Sequence, residues 1–361
     1  MIVTLVIVLA LLCAALAWAF RKGPANLAAE RWIRTRFDPA AHGLVPRDQL
    51  DPRRAGPEPD GAREAETRKA VDAAGDGDWP AVAAYVDAAG TDWDERWSRI
   101  ELLTQIACRD DRWLTDWRTA RPEDGDAGTV YALMLIHEAW AVRGSAYAHQ
   151  VPDADMRQFR AMLPAAMAAA QQAADRAPHD PGPWVAMIMA SRAMSYSHSQ
   201  FRDLWQNLTA RAPHHVAAHW QALQYWCAKW HGSDELMFDF AVRAVTQAPS
   251  GSLLPGVYLD ALCEAGKRAG RSGVSGAQAR ARLEDIARRL DSVPQDHEDL
   301  PRLRHLLAHH LVEAGAHAAA LEQFRHLGPY CGAAPWRDDE AGPVAAFDRA
   351  RALAARGSTR G

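Results

Sequence analysis

The sequence predicts an all-α protein on three observations. Beyond residue 62 apolar side chains recur at intervals of three and four, the spacing that lines one face of a helix. Stretches of 12 to 20 residues with this pattern are separated by clusters of Pro, Gly, Ser or Asp. No alternation of period two lasts long enough to make a strand.

Taken in order, the first element is apolar throughout. Ile2 to Phe20 carry no charge, and Arg21 and Lys22 follow at once. A helix of that length covers roughly 28 Å, against a hydrocarbon core of roughly 30 Å. We expect residues 1–22 to be a transmembrane anchor. A signal peptide would want a basic start and a shorter core, and here no Lys or Arg precedes the run. Ala17 and Ala19 imitate a cleavage site, but bulky Trp18 sits between them. Arg21, Lys22, Arg31, Arg34 and Arg36 all follow the span, so the expected topology is single-pass with the body cytoplasmic. Cleavage and export, leaving an external binding protein, is the competing expectation.

Residues 23–61 hold Pro24, Pro39, Pro46, Pro52, Pro57 and Pro59, which deny any long helix, and read as a juxtamembrane tether. Within them Arg31, Trp32, Ile33, Arg34, Arg36 and Phe37 suit an anionic headgroup zone, or an amphipathic turn packed on the body. The body divides into N-terminal helices over 62–128, a central helical region over 129–270 and C-terminal hairpins over 271–361. Leu133, Ile136, Trp140 and Arg143 share one face of a helix expected over 129–147. Asp72, Asp76 and Asp78, with Gly75 and Gly77, lack the register of a calcium loop and read as a turn before Trp79. Ser275 with Gln278 fits a capping box, and Asp180, Ser233 and Asp296 are candidate caps.

A repeat is visible in the centre. Arg176, Ala177, Pro178, His179 returns as Arg211, Ala212, Pro213, His214, and Gln247, Ala248, Pro249 follow one step later. The intervals of 35 and 36 residues fit a pair of helices with their turns, each pair ended by the proline. Further on, Leu307, Ala308, Leu311, Gly315, Ala320 and Phe324 stand at tetratricopeptide spacings, so the unit 304–327 resembles that superfamily. The central units depart from it, with Phe201 and Met237 where small residues are usual. Residues 129–270 are also similar to a segment of actinobacterial membrane-anchored proteins, a likeness that supplies no activity. The tetratricopeptide resemblance implies a right-handed stack of α-hairpins whose concave side binds peptides or proteins.

Composition narrows the chemistry. A formal charge of −4 argues against nucleic acid, which is held by a basic face. Only four of 41 basic residues are lysine, a bias of base composition that makes abundant arginine uninformative. Cys13, Cys108, Cys227, Cys263 and Cys331 are odd in number and form no C-x-x-C spacing, so no disulfide framework is legible. Walker, G-x-G-x-x-G and G-x-S-x-G motifs are missing, and His137-Glu138 fails as H-E-x-x-H because Ala141 takes the second histidine. His215 and His219, like His305 and His309, stand four apart, but two ligands do not make a zinc site. No metal or cofactor is therefore expected.

What remains is aromatic. Among fourteen tryptophans, Trp184, Trp205, Trp220, Trp226 and Trp230 crowd the central units beside Tyr225. Rings at helical spacing ordinarily make interhelical core, and some of them also suit anchors for a partner. These six residues, with His215 and His219, are the expected partner-binding set. The expected function is a membrane-anchored scaffold or adaptor that recruits a protein or peptide through a groove near 184–240. The alternative is a tethered enzyme using His198, His215 or His219 with nearby serines, among them Ser195, Ser197 and Ser199. That polar run reads otherwise as a turn capping the next helix.

Overall fold

The computed structural model describes residues 37–144, 150–269 and 276–359. The expected anchor over 1–22, the start of the tether and Ser275 lie outside them. Among the described residues there are fifteen α-helices and no strand, so the all-α expectation holds. None of these helices is long and apolar enough to cross a membrane. The chain forms two compact units, one running Glu58–Ser272 and the other built from the two ends of the chain.

The larger unit starts with four short helices, α1 (Gly61–Asp76), α2 (Trp79–Asp87), α3 (Trp93–Ala107) and α4 (Arg112–Ala120). Aspartates start three of them. The carboxylates of Asp60, Asp78 and Asp92 accept the free N–H groups of Ala62, Ala81 and Glu95, each such cap being worth about 1 kcal/mol. The acidic cluster near Trp79 is thus a helix boundary, with Gly77 ending α1 at φ +79°.

Next comes α5 (Gly125–Arg143), which packs along the longest helix, α6 (Asp153–Arg176). The close approach is built from small residues. A Cβ on Gly128 would come 2.9 Å from Ala173 Cβ, and one on Gly125 would come 2.4 Å from Ala177 Cβ. The helix expected over 129–147 begins earlier, where Asp124 caps it, and stops at Arg143 because Gly144 turns the chain with φ +70°. Leu133 and Ile136 are buried as their spacing requires, with Trp140 and Arg143 half-buried beyond them.

The centre continues through α7 (Gly182–Ala193), α8 (His198–Arg211), α9 (Val216–Trp226), α10 (Asp234–Gln247) and α11 (Gly256–Ala269). The repeated Arg-Ala-Pro and Gln-Ala-Pro steps mark real boundaries: α6, α8 and α10 end at Arg176, Arg211 and Gln247. The serine run resolves as a cap, with Ser197 and Gln200 forming a capping box on α8. Ser233 caps α10 through the Leu236 N–H. Asp180 accepts the Gly182 N–H at the start of α7. Asp296 caps nothing, because the next helix begins only after Asp299.

The smaller unit holds α12 (Ala277–Leu290), α13 (Leu300–Glu313), α14 (His317–Leu327) and α15 (Pro343–Ser358). Helices α13 and α14 form a hairpin that turns at Gly315 (φ +69°) and buries Leu307, Ala308, Leu311, Ala320 and Phe324. Around it Phe324, Trp336 and Phe347 meet with ring centroids 5.1–5.9 Å apart. The proline-rich stretch has no long helix, but residues 37–57 are packed rather than a free tether. Leu44 and Leu50 are buried, the Cys331 N–H donates to the Asp51 carbonyl, and the Gly332 N–H donates to the Arg54 carbonyl. Gly332 admits that crossing because a Cβ there would lie 2.6 Å from the Pro52 carbonyl oxygen.

Candidate functional site

A cavity of about 1000 Å³ opens in the larger unit, at the upper end of what small-ligand sites occupy. Three helices bring pairs of residues three apart, the spacing that stacks neighbours on one face: His137 and Trp140 from α5, Met189 and Arg192 from α7, Glu264 and Lys267 from α11. Helix α9 adds Trp220 and Gln221 near its middle. The 227–234 connection closes the wall with Lys229 and Trp230.

That connection is held tightly. The Trp230 N–H donates to the Cys227 carbonyl, and the His231 N–H to that of Tyr225. Gly232 lies so close to the end of α9 that a Cβ would fall 1.8 Å from the Trp226 oxygen, so any side chain there is excluded. The His231 ring Nε2 donates to the Arg192 carbonyl (2.8 Å), and His198 Nε2 donates to the His231 carbonyl (2.6 Å). Trp230 is thereby set across Trp140, with ring centroids 5.6 Å apart at 89°.

Two arginines stack on this indole pair. Arg192 lies 5.5 Å from the Trp140 centroid and 5.3 Å from that of Trp230, and Arg143 lies 5.2 and 5.6 Å from the same two rings. Arg192 Nη1 donates to Gln221 Oε1 at 3.2 Å, while its buried Nε has no acceptor. Burial pulls the Arg192 pKa down to about 10, helped by the like charge of Arg143, and it lowers Arg143 as well. Both remain cationic at neutral pH. In the same lining Glu264 accepts from Lys229 (2.9 Å) and Lys267 (2.8 Å). Burial alone would raise Glu264, but the two lysines outweigh it and hold the carboxyl below its ordinary range. The lining therefore carries Arg143, Arg192, Lys229 and Lys267 against Glu264 and Asp234, an excess of positive charge beside apolar rings.

The expected partner-binding set divides. Trp220 and Trp230 line the cavity, and Trp220 is among the few large apolar residues left exposed. Trp226 and Trp230 do not share a helical face, because α9 ends at Trp226. Trp226 packs edge-on against Phe201 and Tyr225, and Tyr225 stacks flat on Phe201 at 3.7 Å. Trp205 sits between His219 and Phe240, and Trp184 lies under the Arg211 guanidinium.

Neither His215 nor His219 is solvated or a side-chain cap. His219 is buried and donates from Nδ1 to the His215 carbonyl, and its pKa falls to about 4 on burial. His215 is buried edge-on to Trp97, with Nδ1 2.9 Å from Asp94 Oδ1. The structure thus gives His198, His215 and His219 separate structural partners. His305 and His309 do not converge on one ligand either. His305 bonds the Ala55 carbonyl and Trp336, whereas His309 lies with His310 and Glu313, three donors from one helix within 4.8 Å.

Sequence reasoning passed over the arginines, since arginine abundance followed base composition. The usable signal was its converse: in a chain with four lysines, two of them, Lys229 and Lys267, face this cavity. No protein-family model, curated protein or solved structure matches the chain.

Proposed function

We propose that the protein is a membrane-tethered adaptor whose larger unit binds a segment of a partner protein in the Trp140–Trp230 cavity. The observation that carries this reading is a preformed concavity with aromatic walls and a few placed charges, the composition of a recognition site. The apolar run Ile2–Phe20 supports the tether, with the basic residues after it favouring a cytoplasmic body. The evenly spaced ends of α6, α8 and α10, together with the α13–α14 hairpin, support kinship with tetratricopeptide-like stacks. Trp220 and Trp230 are the partner anchors. The six other expected residues serve as the packing that holds them.

Cross-linking of the full chain in its native membrane tests this reading. A discrete partner should be captured by the wild type and lost in a Trp220→Ala, Trp230→Ala variant that keeps its helical content. Retention of every partner by that variant overturns the adaptor reading.

A further inference from the structure

The two cavity arginines differ from the fully buried arginines. Arg99 faces Glu66 and Glu95, Arg304 faces Asp291, and Arg351 faces Asp348. Neither Arg143 nor Arg192 is ion-paired with a carboxylate among the described residues; Glu264 acts on Arg192 only through space, and the two guanidinium groups share one pair of indoles. Stacking on tryptophan offsets about 0.5–2 kcal/mol for each cation, but it cannot satisfy the buried Arg192 Nε–H or the mutual repulsion of two like charges. An anion seated beside them would offset that repulsion. The other cations are already engaged: Lys229 and Lys267 share Glu264, which leaves the guanidinium pair as the open anchor.

Resting on the adaptor reading and narrowing it, we infer that the cavity binds an organic anion, a carboxylate or phosphate carried on an aromatic or branched aliphatic body. The anion lies against Arg143 and Arg192, and the body lies along Trp140, Trp230 and Trp220. Arginine suits this task because its planar fork donates to two oxygens of one anion at once. The ligand's chemistry is common to a free small acid and to an acidic or phosphorylated side chain beside an apolar one in a partner segment.

The test is calorimetric titration of the full chain in lipid nanodiscs, with empty nanodiscs as blank, using indole-3-propionate and its neutral amide. The acid should bind at least ten-fold more tightly than the amide. Arg192→Met, which keeps the aliphatic stem, should erase that difference at an unchanged melting temperature, and Arg143→Met serves if Arg192→Met does not fold. Trp230→Ala should weaken both ligands alike. Equal binding of acid and amide, or an acid preference that survives both arginine variants, overturns the anion inference and leaves the adaptor reading to the cross-linking result. A second pair separates the sources: a capped pentapeptide with glutamate beside phenylalanine, and its glutamine counterpart. A glutamate preference that depends on Arg192 supports a partner segment. Binding confined to the small acid supports the anion inference and overturns the peptide-adaptor reading.

Discussion

His305 shows how much a single buried ring can fix. Its Nε2 donates to the Ala55 carbonyl and its Nδ1 accepts from Trp336 Nε1, both at 2.9 Å, so the neutral tautomer is specified. Protonation would place a second N–H against the indole donor. Burial accordingly lowers its pKa to about 4, below the ordinary 6.5. With the folded pKa depressed, the stabilisation is complete above pH 6.5 and is lost as pH falls through 4, by about 3 kcal/mol at most at 1.36 kcal/mol per unit. His305→Gln keeps the donor to Ala55 but strands the Trp336 N–H. It should cost about 1–3 kcal/mol at pH 7 by urea denaturation, and the gap to wild type should close near pH 4. A gap that stays constant across that range would show that His305 does not titrate. Arg96 makes the opposite case. Its Nε donates to Asp126 (3.1 Å), and burial pushes Asp126 up to about 6 even beside that guanidinium. Arg96→Met should destabilise by about 3–5 kcal/mol at pH 7.5, because it leaves a buried carboxylate unpaired. The loss should shrink towards pH 4.5, where Asp126 takes up a proton in the folded state, and the same denaturation series reads it.

At the scale of elements, the α5–α6 pairing depends on what is absent at two positions. Gly128→Ala gains about 1 kcal/mol of helix propensity but drives a methyl into Ala173, an overpacking cost of about 1–3 kcal/mol. The single variant should melt lower than wild type. Adding Ala173→Gly should recover part of the loss in a double-mutant cycle, and simple additivity would show that the two helices do not meet there. The 227–234 connection should be less forgiving: Gly232→Ala should abolish indole-3-propionate binding, since the backbone of Trp226 occupies the methyl's place. These features also mark the limit of what the sequence conveys. Helix existence and several ends were legible because they are local: Ser197 and Ser233 cap within three residues, and the Arg-Ala-Pro steps stop helices where they stand. Where α9 ends was not legible. The apolar pattern runs on from Trp226 to Trp230, and the stop comes from Gly232 folding back onto the helix end, a contact with no pattern of its own. The Trp140–Trp230 crossing depends on that stop, so half of the site was visible as composition and none of it as geometry.

For the molecule as a whole, the proposed anchor would decide where the cavity works. If residues 1–22 are an anchor and the body is cytoplasmic, the protein should resist carbonate extraction from membranes. Protease added outside spheroplasts should then leave the body intact, and recovery of a trimmed form from the medium would reverse the assignment. Whether the proline-rich stretch is a tether could not be read from its prolines alone. They forbid a long helix, but Leu44 and Leu50 are buried, and the His42 and Val45 carbonyls accept from Arg325 on α14 and Arg351 on α15, contacts between residues 283 and 306 positions apart. The scarcity of lysine has a practical side. Lys69 is exposed on α1, while Lys229 and Lys267 grip one carboxylate at the cavity wall. Amine acylation read by mass spectrometry therefore carries its own internal standard. Modification at 229 and 267, normalised to 69, measures how often that wall is uncovered, and an occupant should shield the pair without any engineered label.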